Sequence, residues 1–197
     1  MPRGQVHSIF LRFQSRLPAS SVDSVIAIPE QGLSGDHHTK GGLRQVTLLS
    51  LPTWREVCQS LGISLNPKLR RANLVLDGIT FDANSLGKIL QIGAVQIRIR
   101  GETLPCRLMD EAHPGLKDAR ANWRGGVYGE ILNNSEIRVG DSAFWCEGLQ
   151  CPICATEYRY DADNYHWPTT GNLCVECDLP LPNWEESDGY RTPDCTS

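Results

Sequence analysis

The chain has 197 residues, of which 40% are hydrophobic and 21% charged, with a net charge of −4. This composition is typical of a globular protein and excludes a wholly disordered chain. No apolar run approaches the ~18 residues that a membrane helix needs, and the opening MPRGQVHSIFLRF lacks the features of a secretory signal. We therefore expect a cytoplasmic protein without membrane contact. In a reducing cytoplasm, the eight cysteines favour metal binding or catalysis over disulfides.

The charge is distributed unevenly along the chain. Residues 1–142 carry a balance of +4, whereas residues 143–197 carry −8. A mildly basic body suits an anionic small-molecule ligand, and the acidic C-terminal part argues against nucleic acid as its partner. Two solvated surfaces would give the same charges.

Short strands dominate the predicted secondary structure. Alternating or apolar runs predict strands over 6–12, 22–28, 46–50, 74–76, 86–92, 94–100 and 136–139, and a further strand after the paired glycines within 123–132. A helix is predicted after Pro52, with Trp54, Val57, Cys58 and Leu61 on its apolar face. Cys58 is therefore expected in the core. Many short strands with one long helix indicate a closed or nearly closed β-barrel, a mainly β fold.

A glycine-rich segment precedes the third strand. It reads GLSGDHHTKGGLRQ and contains Asp36, His37, His38, Lys40 and Arg44. Glycines let the backbone approach a ligand closely, and Lys40 and Arg44 are suited to contact an anion. The adjacent histidines are not a helical metal pair, because neighbouring side chains diverge. We favour ligand contact here, with a solvated loop as the alternative.

Cys106 lies where a predicted strand ends. In GETLPCRLMD, Pro105 blocks continuation of the strand, and a helical segment over 107–111 is plausible after it. Arg107 and a helix N-terminus would both favour the thiolate, which is the nucleophile and the metal ligand. A buried, inert cysteine is the alternative.

Four cysteines in the C-terminal part form two C-x-x-C pairs, Cys151 with Cys154 and Cys174 with Cys177. Their spacing is typical of a tetrahedral zinc site that supplies folding energy to a small module. The same thiolates could instead hold iron as in a rubredoxin, or remain reduced in a loose tail.

The ordered set of GLxGDHH, RQVTLLS, RRANL, GETLPCRLMD, WRGGVYGEIL and IRVGD resembles the MOSC domain, named for the C-terminal part of molybdenum-cofactor sulfurase. The resemblance covers about residues 5–143 and is greatest to the small stand-alone bacterial members. It implies a β-barrel with one functional cysteine, which maps onto Cys106. Compared with the larger amidoxime-reducing proteins, we expect this protein to lack their additional N-terminal β-barrel part.

The resemblance also implies a cofactor and site residues. In amidoxime-reducing members the cysteine ligates the molybdenum of a pyranopterin cofactor, and N-hydroxylated compounds are reduced. Residues that match the positions holding the pterin and its phosphate are Lys40, Arg44, Arg71 and Asn73, with Arg124 as a weaker match. We add Asp36 and His37 from the glycine-rich segment as candidate cofactor-binding residues.

Three functions follow as hypotheses. The first is a molybdenum-dependent oxidoreductase that takes a small-molecule substrate and a redox partner protein. The second is a sulfur carrier with a persulfide on Cys106, and the third is a non-catalytic cofactor carrier or partner-binding module. The predicted organisation is a MOSC-like barrel over 1–143, a zinc ribbon over 144–182 and a flexible acidic tail over 183–197.

Overall fold

A computed structural model describes residues 3–14, 18–37, 41–103, 110, 113–117 and 122–146. Short strands are the main elements of this part of the chain, joined by one α-helix and two 3-10 turns. The strands are β1 (Arg3–Leu11), β2 (Ser20–Val22), β3 (Ser24–Ile28), β4 (Gly32–Leu33), β5 (Val46–Ser50), β6 (Leu74–Asp77), β7 (Ile89–Ile92), β8 (Val95–Glu102), β9 (Val127–Ile131), β10 (Ser135–Arg138) and β11 (Ser142–Trp145). Helix α1 spans Leu51–Ser60, and the 3-10 turns span Pro67–Arg70 and Ala83–Ser85.

Seven strands close into a barrel. They pair in the order β11-β7-β8-β9-β5-β6-β1, and β1 pairs with β11 again to complete the ring. Strand β1 closes it because its first residues pair antiparallel with β11, Arg3 opposite Phe144, while the residues from Gln5 onwards pair with β6. The expected mainly β barrel is confirmed.

Apolar side chains that alternate along these strands fill the barrel interior. Leu48, Leu74, Leu90, Ile97 and Val127 are each almost fully buried in one continuous cluster. Because successive strand residues point to opposite faces, the residues between them face the outside of the barrel wall. A second sheet, of order β10-β3-β4, adds residues such as Ile137 to the same core.

Helix α1 covers part of the outside of the wall. It connects β5 to β6, the parallel pair of the barrel, and the hydroxyl of its N-cap Ser50 accepts a hydrogen bond from the backbone N–H of Thr53. The predicted apolar face is correct, since Trp54, Val57 and Cys58 are buried. They pack with Leu49 of β5 in a second hydrophobic cluster. This packing leaves the adjacent part of the outer wall for polar residues.

The structure divides one predicted strand and adds a strand that was not predicted. The single strand predicted over 22–28 is two strands, β2 and β3, which belong to different sheets and are separated at Asp23. Strand β11 is not predicted from the sequence, although it closes the barrel. Among the described residues, no helix is long and apolar enough to cross a membrane.

Candidate functional site

A hydrogen-bonded group of buried polar residues lies on the outer wall, beside β5 and β6. Thr47 lies between the inward-facing Val46 and Leu48, so its side chain faces outward, where Asn73 meets it. The Asn73 side-chain oxygen accepts hydrogen bonds from the Thr47 backbone N–H at 3.1 Å and from its hydroxyl at 2.7 Å. The Asn73 amide nitrogen donates to Asp36 Oδ2 at 3.0 Å. We call Asp36, Thr47 and Asn73 the Asn73 network.

Asp36 connects this network to the end of β1. Its side chain is only 6% exposed, and its Oδ1 accepts a hydrogen bond of 2.7 Å from the backbone N–H of Arg12. Both carboxylate oxygens therefore have protein donors. In this arrangement Asp36 can hold the Arg12 backbone and the Asn73 amide in position. A ligand that contacted Asp36 directly would have to share a carboxylate oxygen with one of these two donors.

Arg12 was not singled out from the sequence, and it lies at the centre of the site. The residue is 7% exposed, and its Nη1 donates a 2.7 Å hydrogen bond to the carbonyl oxygen of Arg71. Its Nε is buried and has no hydrogen-bond partner among the described residues. A buried, unpaired donor on a cation costs free energy, and an anionic ligand would supply the missing acceptor.

The electrostatics of Arg12 show which charges lie near it. Burial lowers the pKa of its guanidinium; Asp36 raises that pKa, while Arg71 and Arg44 lower it further. Arg12 therefore interacts electrostatically with one carboxylate and with two further guanidinium groups. We call Arg12, Arg44 and Arg71 the arginine cluster. An excess of positive charge at this place, together with the unpaired Nε, is suited to bind an anion such as a phosphate.

Arg71 is placed by an unusual backbone conformation. It follows the 3-10 turn Pro67–Arg70 and adopts a left-handed φ of 65°. Such a conformation is uncommon for a residue other than glycine, and it persists only where surrounding contacts hold it. The hydrogen bond from Arg12 to the Arg71 carbonyl is one such contact.

A cavity of about 470 Å³ lies beside Arg44. Within the described part of the chain it is lined by Gly41, Leu43, Arg44, Glu102 and Tyr128. The Arg44 guanidinium carbon lies 5.6 Å from the centre of the Tyr128 ring, a cation–π contact. Glu102 uses one carboxylate oxygen, Oε1, to accept a 2.6 Å hydrogen bond from the backbone N–H of Trp123.

Thr103 fixes the end of β8, three residues before Cys106. The Thr103 backbone N–H donates to Gly126 O at 2.9 Å, and its hydroxyl contacts Gly125 O at 2.8 Å. Buried Arg70 joins them, with Nε donating to Gly125 O at 2.6 Å and Nη2 to the Thr103 hydroxyl. The chain segment that leads to Cys106 therefore leaves from a tightly bonded position.

The structure brings together four of the predicted site residues: Arg44, Arg71, Asn73 and Asp36. His37 is exposed, and its backbone N–H donates to Arg12 O at 2.5 Å. Arg124 is half-buried in the turn before β9. Residues outside the described part are Lys40, Cys106, Cys151, Cys154, Cys174 and Cys177. Within the described part, no three His, Cys, Asp or Glu side chains are placed to hold a metal ion.

The fold and the site define a closed β-barrel protein with a cationic cluster on its outer wall. Residues 35–143, more than half of the chain, match the MOSC domain, and the chain belongs to the MOSC domain family. The predicted resemblance is thereby confirmed for the barrel.

Solved structures share the fold at low sequence identity. The YuaD protein of Bacillus subtilis matches with a TM-score of 0.63 and 14% identity, over 72% of this chain and 94% of that one. YiiM of Geobacillus stearothermophilus matches with a TM-score of 0.57 and 16% identity, over 78% of this chain and 79% of that one. YiiM of Escherichia coli matches with a TM-score of 0.53 and 16% identity, over 74% of this chain and 71% of that one. The search of curated proteins found no significant match.

Proposed function

We propose that this MOSC protein binds a molybdenum cofactor and reduces N-hydroxylated small molecules, with Cys106 as the ligand to the metal. The observation that carries the proposal is the arginine cluster, in which the buried Nε of Arg12 lacks an acceptor among the described residues. A pyranopterin cofactor carries a phosphate, and a phosphate oxygen fits that donor set. The residues present therefore fit the group.

In this proposal each residue has a separate task. Arg12, Arg44 and Arg71 bind the phosphate, and Lys40 adds a further cation from the glycine-rich segment. The Asn73 network holds Arg12 and the adjoining backbone in place. Asp36 and Asn73 thus act on the ligand through Arg12, because their polar atoms are already occupied by protein groups.

Chain length supports the placement of Cys106 near this cluster. Cys106 follows Thr103 by three residues, and an extended chain spans at most about 3.6 Å per residue, so their Cα atoms lie within about 11 Å. Thr103 is bonded to Arg70, which directly precedes Arg71. A thiolate is a soft ligand that suits such a metal centre, and neighbouring cations favour its ionisation.

The bound cofactor would supply two-electron transfer at the metal. Overall, reduction of an N-hydroxylated compound breaks one N–O bond, consumes two electrons and two protons, and yields the amine-type product and water. The electrons come from an external redox partner protein. The protein itself binds, orients and shields the reacting groups, and the cavity beside Tyr128 provides room for the substrate.

Elemental and pterin analysis tests the proposal directly. Full-length protein, made in a host that synthesises the cofactor, should contain molybdenum and pterin near one equivalent each. Cys106→Ala should lose the molybdenum, and Arg12→Gln should lose pterin and molybdenum together. Cys58→Ala is the matched control, because Cys58 lies on the buried face of α1 and does not line the cavity. Wild-type protein without molybdenum would contradict the proposal.

The same preparation separates the alternatives. A single added sulfur on intact protein that disappears with Cys106→Ala, in the absence of molybdenum, would favour the persulfide carrier. Zinc or iron retained in Cys106→Ala and lost in Cys151→Ala would identify the metal of the C-terminal cysteines. Partner binding that survives Cys106→Ala but fails in Cys174→Ala would favour the non-catalytic module.

A further inference from the structure

We infer that Arg70 is a positioning residue, which couples anion binding at the arginine cluster to the end of β8 and to the turn at 122–126. It does so through its own hydrogen bonds to these two segments and through Arg71, the next residue in the chain. The inference rests on the proposed function in one respect, because it treats the arginine cluster as an anion site. It does not depend on the metal.

The first argument is what the buried side chain of Arg70 holds together. The residue is 7% exposed, its Nε donates to the Gly125 carbonyl oxygen at 2.6 Å, and its Nη2 donates to the Thr103 hydroxyl. These two partners lie 22 residues apart in the chain. A planar guanidinium presents several donors in a rigid fork, so it fixes both partners at once. Arg70 therefore connects the end of β8 and the turn to the 3-10 turn Pro67–Arg70.

The second argument is the backbone conformation of the segments that Arg70 joins. In the described part of the chain, four residues other than glycine have a left-handed backbone, and three of them adjoin these bonds. They are Arg71, with a φ of 65°, and the consecutive residues Asn122 and Trp123, with 60° and 67°. Such conformations cost free energy and persist only where neighbouring contacts hold them. The positions of these segments therefore depend strongly on contacts such as those of Arg70.

The third argument is that the turn is also bonded directly to β8. Glu102 Oε1 accepts a hydrogen bond of 2.6 Å from the Trp123 backbone N–H. The Thr103 backbone N–H donates to the Gly126 carbonyl oxygen at 2.9 Å, and the Gly126 N–H donates to the Trp123 carbonyl oxygen at 3.2 Å. The end of β8 and the turn thus form one hydrogen-bonded unit, which we call the strand–turn unit. Arg70 connects this unit to the arginine cluster.

The connection to the anion passes through Arg71. Its carbonyl oxygen accepts a 2.7 Å hydrogen bond from Arg12 Nη1, on the same guanidinium whose Nε is buried without a partner among the described residues. An anion bound to Nε would fix the plane of this guanidinium and with it the bond to Arg71. Since Arg70 is the preceding residue, its bonds to the strand–turn unit should become more stable. Because coupling is reciprocal, loss of those bonds should weaken anion binding.

Hydrogen exchange of the full-length protein, with and without inorganic phosphate, tests the inference. The backbone N–H groups of Thr103 and Gly126 are both hydrogen-bonded, so their exchange reports opening of the strand–turn unit. Saturating phosphate should slow their exchange at least roughly fivefold, the lower end of the range for coupled sites. The N–H of Val139, bonded to Asp23 beside the second sheet, is the internal control and should not respond. Equal exchange of Thr103 and Gly126 with and without phosphate overturns the inference.

Arg70→Met removes both bonds and keeps an unbranched side chain. Calorimetry should show phosphate binding at least roughly fivefold weaker than in wild type, and phosphate should no longer slow exchange at Thr103 and Gly126. Arg100→Met is the matched control, because it removes a half-buried arginine of β8 that is bonded to Glu130 and lies outside the cluster. This control should keep the wild-type response to phosphate. A wild-type response in Arg70→Met overturns the inference.

Thr103→Val distinguishes position from charge, and it serves as the test if Arg70→Met does not fold. It removes the hydroxyl that Arg70 holds without changing any charge, so a change in phosphate affinity must come from position. Affinity should fall roughly two- to tenfold, the range for one hydrogen bond, whereas Thr103→Ser should bind as wild type does. Equal phosphate affinities in Thr103→Val and Thr103→Ser overturn the inference.

Molybdenum content is measured separately from these phosphate responses. Protein that holds molybdenum but shows no phosphate-dependent protection would keep the proposed function and overturn the role of Arg70. Protein that shows the protection but never holds molybdenum would keep the role of Arg70 and contradict the proposed function.

Discussion

The barrel interior and the Asn73 network are both buried, but different interactions hold them together. The interior consists of aliphatic side chains, whose contribution to stability grows gradually with the area removed from water. The network consists of polar atoms that each need a partner, so the loss of one atom leaves another unsatisfied. The comparison suggests that the interior sets stability, and that the network sets the position of charge on the wall.

The largest effect on stability should come from the interior. Leu90→Ala removes a fully buried side chain of β7 and leaves a cavity, so the free energy of unfolding should fall by about 2–5 kcal/mol. Urea denaturation measures this loss. The phosphate affinity of the folded protein should remain unchanged, since β7 contributes nothing to the arginine cluster. A parallel loss of phosphate affinity would show that the two regions are not separable.

A substitution in the Asn73 network should lower stability less than Leu90→Ala does, and it should also weaken phosphate binding. Asn73→Ala leaves Asp36 Oδ2 and the Thr47 backbone N–H without their partners, which should cost about 1–3 kcal/mol. Phosphate affinity, followed by calorimetry, should fall at least roughly tenfold because Arg12 loses its support. Asn84→Ala is the control, since Asn84 is exposed and its side-chain amide bonds only Asp82, outside the network, among the described residues. Unchanged phosphate affinity in Asn73→Ala would contradict the positioning role.

Arg12→Gln should separate binding from folding. We expect phosphate affinity to fall roughly tenfold to a hundredfold, the range for loss of a charged hydrogen bond. The substitution removes the hydrogen bond from Arg12 Nη1 to the Arg71 carbonyl but keeps the backbone N–H that Asp36 accepts from, so stability should fall by about 1 kcal/mol, less than in Asn73→Ala. Arg3→Gln, exposed at the start of the same strand, should bind phosphate as wild type does. A larger stability loss than in Asn73→Ala would indicate a structural role for Arg12.

The smallest effect concerns an exposed ion pair outside both regions. The hydrogen bond from Arg138 lowers the pKa of Glu136, so its contribution is present above the ordinary glutamate pKa. That contribution is lost as the pH falls through the lowered value. The difference in stability between wild type and Glu136→Gln should therefore be small at neutral pH and disappear at strongly acid pH. Denaturation curves at the two pH values check this sign.

The sequence predicts the elements better than it predicts their partners. Alternation and apolar runs identify β5 with its observed bounds and the buried face of α1, because both are local patterns. It misses the break at Asp23, since the division between two sheets depends on distant strands. Strand β11 is short and carries no strong alternation, so only its pairing with β1 and β7 defines it.

The site shows the same contrast between local motifs, which the sequence reveals, and contacts between distant residues, which it does not. Arg44, Arg71 and Asn73 stand in recognisable motifs, and the resemblance to MOSC domains marks them. Arg12 directly follows β1, an ordinary strand, and nothing in its neighbours distinguishes it. Its importance comes from Asp36 and Arg71, which are 24 and 59 residues away in the chain.

The pairing of β1 with β11 joins the beginning of the barrel sequence to its end. Arg3–Gln5 lie against Ser142–Phe144, with nearly the whole barrel sequence between them. A chain emerging from the ribosome cannot complete its ring until the last strand has been synthesised, so β1 must wait with one edge unpaired. The adjacency also makes the barrel a candidate for circular permutation, in which a short linker joins these two strands and new termini open at a surface turn.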